Sequence, residues 1–237
     1  MCFALTTVTR AVQRAILGTA LFLMAVTVLS GGALADTKAD QALIEAAGRG
    51  DTAAVRRLLE AGASVKARDG QGRTALLAAT HAAPGVGTEA ARLLIAGGAD
   101  VNAKDGIEDS PYLYAAAEGR NDILRMTLAA GADLKSTNRY GGTGLIPAAH
   151  HGHLETVRIL LGTAIDKDHV NKLGWTALLE AVVLGDGGPV HTDIVRELVA
   201  AGANVNIADR EGVTPLGHAR RRGYAAMVRI LEGAGAH

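Results

Sequence analysis

The chain is predicted to be an all-α solenoid of about six helix-turn-helix units joined by short hairpin loops, and three observations carry that prediction. One phrase recurs: QALIEAAGRG from Gln41, TALLAAT from Thr74, SPYLYAAAEG from Ser110, TGLIPAAHHG from Thr143, TALLEAVVLG from Thr176 and TPLGHARRRG from Thr214. The starts are 33, 36, 33, 33 and 38 residues apart, and a period with two small insertions means one supersecondary unit stacked on copies of itself. A second phrase trails the first by about twenty residues, as LLEAGASVKA from Leu58, LLIAGGADVNA from Leu93, TLAAGADLKS from Thr127 and LVAAGANVNIA from Leu198. Third, the chain is 49% apolar but only 3% aromatic, so Leu, Val, Ile and Ala must fill the space between layers. No single unit buries enough apolar surface alone, but six stacked units share one elongated core. Such an array biases function toward binding and away from catalysis.

Each unit reads as a turn, a short helix, a second helix and a loop. In the unit at Thr176 the turn is Asn171-Lys-Leu-Gly174-Trp175, and Thr176 is positioned to cap the first helix, its hydroxyl accepting from a backbone N–H two or three residues on. That helix carries small residues, Ala177 and Ala181, which let neighbouring helices approach closely. The second helix carries a larger stripe, Ile194, Val195, Leu198 and Val199, at helical spacing. Gly202 ends it in the left-handed conformation of a C′ glycine, a position repeated at 62, 98, 131 and 235. Gln41, Glu45 and Glu232 make the first and last units more polar, as end caps with a wet outer face require.

The first 35 residues differ from the rest. Arg10 and Arg14 are their only charges, Ala15 to Leu29 is apolar apart from Gly18, Thr19 and Thr27, and Ala33-Leu34-Ala35 follows. This is the pattern of a secretory signal peptide, with a cut expected after Ala35. An uncleaved membrane anchor is the rival reading, but the run is short of the ~20 residues a spanning helix needs. Without this segment the chain has no Phe and no Cys, and its 22 basic and 24 acidic residues give a formal −2. That balance argues against a nucleic-acid partner, which needs a basic stripe. Lack of cysteine excludes a disulfide framework and thiolate metal sites. The expected compartment is a periplasm, with no membrane contact after cleavage, no cofactor, and a monomeric chain.

The recurring phrases resemble the ankyrin repeat. Thr-Pro-Leu at 214–216, paired alanines at 46–47, 116–117 and 148–149, Gly152-His153 and the Gly-Ala after the second helices carry the resemblance, and the period of roughly 33 residues agrees. It covers nearly everything from residue 38 on, in units near 38–69, 70–103, 104–136, 137–170, 171–208 and 209–237. The resemblance implies a non-catalytic protein–protein interaction module whose hairpin tips and first helices form a concave gripping surface. Carried onto this chain, that surface includes Gln71, Arg73, Ile107, Asp109, Arg139, Tyr140, Lys172, Leu173, Trp175, Arg210 and Glu211. Aromatic and Arg side chains carry most interface energy, so Tyr140 and Trp175 in adjacent tips stand out. Some exported proteins similar in layout are linked to haem catalases and oxidative-stress protection, which makes an accessory to such an enzyme one alternative; a membrane-tethered scaffold with an uncleaved N-terminus is the other.

Several positions depart from the pattern. Ala164 stands in the loop where other units have glycine, so the 162–170 loop is expected to differ; Glu108 takes the hairpin glycine position, so the tip at 105–109 is expected to differ too. Two units carry extra residues between their helices, at 81–87 and 185–191, where repeat arrays often place a working surface. His150, His151 and His153 lack the i, i+4 spacing of helical metal pairs, and Gly152 interrupts them. Gly185-Asp186-Gly-Gly188 lacks the Lys-Ser/Thr of a phosphate loop, and Asp186 with His191 lacks a nucleophile, since Ser64, Ser110 and Ser136 have no fitting neighbours. Tyr112 replaces a core Leu and is expected inside; Tyr114 is expected to reach the concave face.

Overall fold

The computed structural model describes residues 37–237, so the expected signal peptide and its cut after Ala35 lie outside the described residues. Among these there are twelve helices and no strand. They pair as α1 (37–48) with α2 (Thr52–Glu60), α3 (Ala75–His81) with α4 (Thr88–Ala96), α5 (Pro111–Ala117) with α6 (Asn121–Ala129), α7 (Leu145–His150) with α8 (Leu154–Leu161), α9 (Ala177–Val183) with α10 (Pro189–Ala200), and α11 (Pro215–Arg222) with α12 (Ala225–Gly233). First helices from α3 to α11 stack in one row and second helices from α2 to α12 in another. No described helix is long and apolar enough to cross a membrane.

The recurring Thr or Ser starts the first helices. Thr74, Ser110, Thr176 and Thr214 are extended and accept from the N–H groups of Leu77, Leu113, Leu179 and Gly217 at 3.2–3.3 Å. Such a cap stabilises by about 1 kcal/mol. The fourth unit breaks the rule. Thr143 Oγ1 is buried without a partner, the Ile146 N–H bonds the Thr143 carbonyl instead, and α7 begins one residue late, behind Gly144. Gly144 also faces Tyr112, which is fully buried where other units carry Leu, and a Cβ on Gly144 would lie 3.0 Å from Tyr112 Oη and 3.0 Å from Ala116 Cβ. The missing Cβ makes room for the longer side chain of the preceding unit.

One continuous core joins Leu43 and Ala47 at one end to Met227 and Leu231 at the other. Small side chains recur on the first helices (Ala79, Ala116, Ala149, Ala181), and Val55, Leu94, Leu124, Leu160, Leu198 and Leu231 repeat on the second helices, all almost fully buried. Burying one such Leu is worth about 1.5–3 kcal/mol.

The five hairpin tips share one hydrogen-bond skeleton. The first residue of each (Asp69, Asp105, Asn138, Asn171, Asp209) accepts through Oδ1 from the N–H groups two and four residues on, at 2.8–3.1 Å. The fourth residue is left-handed: Gly72, Gly141, Gly174 and Gly212 have φ between 74° and 88°. Glu108 occupies that place with φ 67°, the single non-glycine residue at positive φ among those described. The different tip expected at 105–109 is therefore not formed. Asp105 enforces the common geometry through its two acceptor bonds and the 2.9 Å backbone bond to Asp109, and Glu108 absorbs the strain.

The expectation at Ala164 holds. Gly62, Gly98, Gly131, Gly202 and Gly235 follow their helices at φ 83° to 91°, but Ala164 does not adopt positive φ. Instead α8 stops at Leu161, and the Thr163 hydroxyl donates to the Leu160 carbonyl (2.6 Å) and accepts from the Ile165 N–H (3.2 Å).

Both insertions pack on neighbouring units. In the first, a Cβ on Gly50 would lie 2.5 Å from Val86, and one on Gly87 only 1.9 Å from the Ala79 carbonyl oxygen. Part of the second extends α10 to 12 residues. The rest is pinned from both sides: Tyr224 donates from Oη to the Gly185 carbonyl (3.1 Å) and its ring packs close against Gly187, while His191 Nε2 sits 3.0 Å from the His150 carbonyl.

Candidate functional site: a groove on the first-helix face

The tips of the third, fourth and fifth units and helices α5, α7 and α9 enclose an open groove of about 460 Å³. Tyr114 forms one wall. It is half-buried, as expected for a residue reaching the concave face, and it stacks on His81 with ring centres 3.8 Å apart. Tyr140 (52% exposed) and Leu173 (50% exposed) rise from successive tips on the other side, with Leu184 at one end. These apolar side chains project where no described neighbour covers them, as at an interface core.

The floor is polar and acidic. Glu180 on α9 is buried, yet its carboxylate lines the groove. Asn171 Nδ2 donates to Oε1 at 2.9 Å, while Oε2 has His150 Nδ1 at 3.6 Å, beyond a hydrogen bond. Burial pushes the Glu180 carboxyl above its ordinary range, against the opposing pull of Asn171 and His151. Burial also lowers His150, and its neighbours His151 and His191 lower it further. Asp109 is raised, first by burial and then by Asp105, though Arg139 stands 3.8 Å away. Arg139 itself lies over the Tyr140 ring, 4.9 Å from its centre.

The structure divides the eleven tip residues predicted to grip a partner. Asp109, Arg139, Tyr140 and Leu173 line the groove. Gln71 and Ile107 flank a separate depression between the second and third tips, and Arg73 is engaged by Asp69 at 2.8 Å. Lys172 donates from Nζ to the Arg139 carbonyl (2.9 Å), Arg210 to the Lys172 carbonyl, and these bonds tie successive tips together. Trp175 is half-buried and, with Glu211, outside the groove. Tip position alone could not reveal Glu180 or Ile146, because they sit on first helices. The usable signal was a carboxylate nine residues after Asn171, in the slot that holds Ala78, Tyr114, Pro147 and His218 in other units.

The histidines serve the scaffold. His151 Nδ1 lies 2.7 Å from the Ala117 carbonyl, the His153 ring covers Gly119, and Asp186 meets His191 at 3.1 Å. Among the described residues no group of three or more His, Cys, Asp or Glu is arranged to hold a metal ion. Ser110 is committed to its helix cap.

A helical repeat array with a groove across its first helices defines a class of binding proteins, and comparison with known proteins specifies which. The family model described as ankyrin repeats (3 copies) matches residues 12–105 and 112–209, and the chain belongs to that family. An ankyrin repeat domain from Acinetobacter baumannii (ABAYE2397) is 54% identical, with a TM-score of 0.79 over 82% of this chain and 98% of that one. The ankyrin repeat protein EF0377 is 42% identical, with a TM-score of 0.77 over 81% of this chain and 97% of that one. The ankyrin repeat domain of Bcl-3, described as a unique member of the IkappaB protein family, is 30% identical, with a TM-score of 0.72 over 83% and 86% of the two chains. A stretch of 57 residues is 44% identical to the ankyrin repeat protein YahD of Escherichia coli K12, covering 24% of this chain and 28% of that protein. Ankyrin repeats are in general protein-interaction modules.

Proposed function

We propose that this chain is an exported binding protein that holds a protein partner in the groove formed by α5, α7, α9 and their tips. One observation carries the reading: Tyr114, Tyr140 and Leu173 converge on a preformed cleft and leave apolar surface uncovered there. A rigid surface loses little conformational entropy on association, which favours binding. Helix caps, tip skeleton and inter-unit bonds hold these side chains in place before any partner arrives. The arginines and apolar run before Ala33-Leu34-Ala35 support export to a periplasm, with the bound form starting at Asp36.

A photoreactive amino acid placed at Tyr140 or Leu173 in the producing cell tests the reading, with Arg229 on α12 as the control. A covalent adduct formed from 140 and 173 and not from 229 is expected. Adducts from 229 alone would move the binding surface to the second helices and overturn the groove assignment. Intact mass of the recovered protein tests export: a product that still begins at Met1 overturns it.

A further inference from the structure

We infer that the groove takes a basic side chain, Lys or Arg, from the bound protein and seats it on Glu180 between Tyr114 and Tyr140. This rests on the groove being the binding site, and it specifies the chemistry of what enters. The charged side chains facing the groove are Asp109, Glu118 and Glu180 against Arg139, so it carries an acidic excess that favours a cation and repels an anion. Glu180 is the least exposed of these four and is half-satisfied. Asn171 holds Oε1 and is itself locked by the Leu173 and Trp175 N–H groups, which fixes the carboxylate in place. Oε2 has no hydrogen bond among the described residues, His150 Nδ1 standing 3.6 Å away, and it borders the groove.

The sixth unit builds the same slot with the carboxylate on the tip and an imidazole on the helix. There Asp209 replaces Asn171 and His218 replaces Glu180, and the two side chains bond each other at 2.6 Å. In the fifth unit the basic group within 4 Å of Glu180 Oε2, among the described residues, is His150 Nδ1 at 3.6 Å, beyond hydrogen-bond reach. The aromatic walls suit the same guest, since a guanidinium or ammonium is attracted to a ring face within about 6 Å. Arg139 already uses Tyr140 in this way at 4.9 Å. A guest without a donor would cover Glu180 Oε2 and give it no hydrogen bond, which is unfavourable in a desolvated site.

The test uses peptides selected from a random 12-residue display library against the whole chain, then measured by calorimetry. Peptides that bind in the groove are recognised by loss of affinity with Tyr140→Ala/Leu173→Ala. They are expected to share a Lys or Arg flanked by apolar residues, and replacing that Arg by citrulline should weaken binding by about tenfold or more. Glu180→Gln, nearly isosteric and checked for an unchanged fold by circular dichroism, should weaken the parent peptide similarly and leave the citrulline peptide unaffected. Groove-binding peptides with no basic residue, or equal affinity for wild type and Glu180→Gln, overturn the inference and leave the binding site standing. Peptides indifferent to both Tyr140→Ala/Leu173→Ala and Glu180→Gln overturn the groove reading as well.

Discussion

The fifth and sixth units build the same slot from opposite chemistry. In each, the first residue of the tip accepts two backbone N–H groups and uses its remaining side-chain atom to reach the first helix nine residues later. In the fifth, Asn171 donates to Glu180 and leaves a buried acid with one oxygen unengaged; in the sixth, Asp209 meets His218 and both are satisfied. Burial opposes the charge on both acids. It prevails at Glu180, whose carboxyl is raised, whereas at Asp209 the Val213 N–H and His218 overcome it and hold the carboxyl low. One backbone geometry thus yields a self-contained hydrogen-bonded pair at the end of the stack and an underemployed carboxylate in the middle, where the groove is.

The largest effect should come from breaking the slot at its first residue. Asn171→Ala removes three hydrogen bonds at a buried position and should cost about 2–4 kcal/mol in urea unfolding, while Glu180→Gln, which keeps the tip intact, should cost less than about 1 kcal/mol. Equal losses would mean that the tip skeleton contributes little.

Next in size is the fourth unit, where a tip is fitted to its neighbour by omission. Gly144→Ala places a Cβ 3.0 Å from Tyr112 Oη and should destabilise by about 1–3 kcal/mol. In a Tyr112→Leu background the penalty should shrink by at least about half, and a double-mutant cycle by thermal melting measures that coupling. Additive effects would place the strain elsewhere.

The two slots should also tilt the pH dependence of stability in opposite directions. The raised Glu180 makes a contribution that is present at low pH and lost as the pH climbs from its ordinary 4.5 through the folded value. The lowered Asp209 makes a contribution present above its ordinary 3.8 and lost as the pH falls below it. Denaturant midpoints from pH 3 to 7 should therefore fall less toward high pH in Glu180→Gln, and less toward low pH in Asp209→Asn. Parallel curves for all three proteins would remove the contrast.

The smallest effect is at the third tip. Glu108→Gly relieves a left-handed non-glycine residue and should stabilise by about 1 kcal/mol, read as a raised melting temperature. A loss instead would mean that the Glu108 side chain contributes more than its backbone strain removes.

Much of this molecule was legible in the sequence because it is local. Thr176 caps its helix because the hydroxyl lies within reach of the Leu179 N–H, and Gly202 turns left-handed because no Cβ opposes it. Ala164 foretold an altered loop on the same ground. Local reasoning went wrong at Glu108, where three hydrogen bonds made by Asp105 outweighed one residue's preference.

The amino-acid sequence alone determined the period, the twelve-helix layout, the capping residues and the apolar stripes, since each depends on residues within one turn or one unit. Only the tertiary structure decided which tips converge. Asn171 and Glu180 are nine residues apart, but His150, Tyr114 and Asp109 arrive from two other units, and whether Trp175 or Leu173 faces the cleft depends on how those units stack. Val86 on Gly50 and Tyr224 on Gly187 were equally invisible, because a missing Cβ is informative only when the side chain that fills its space is known.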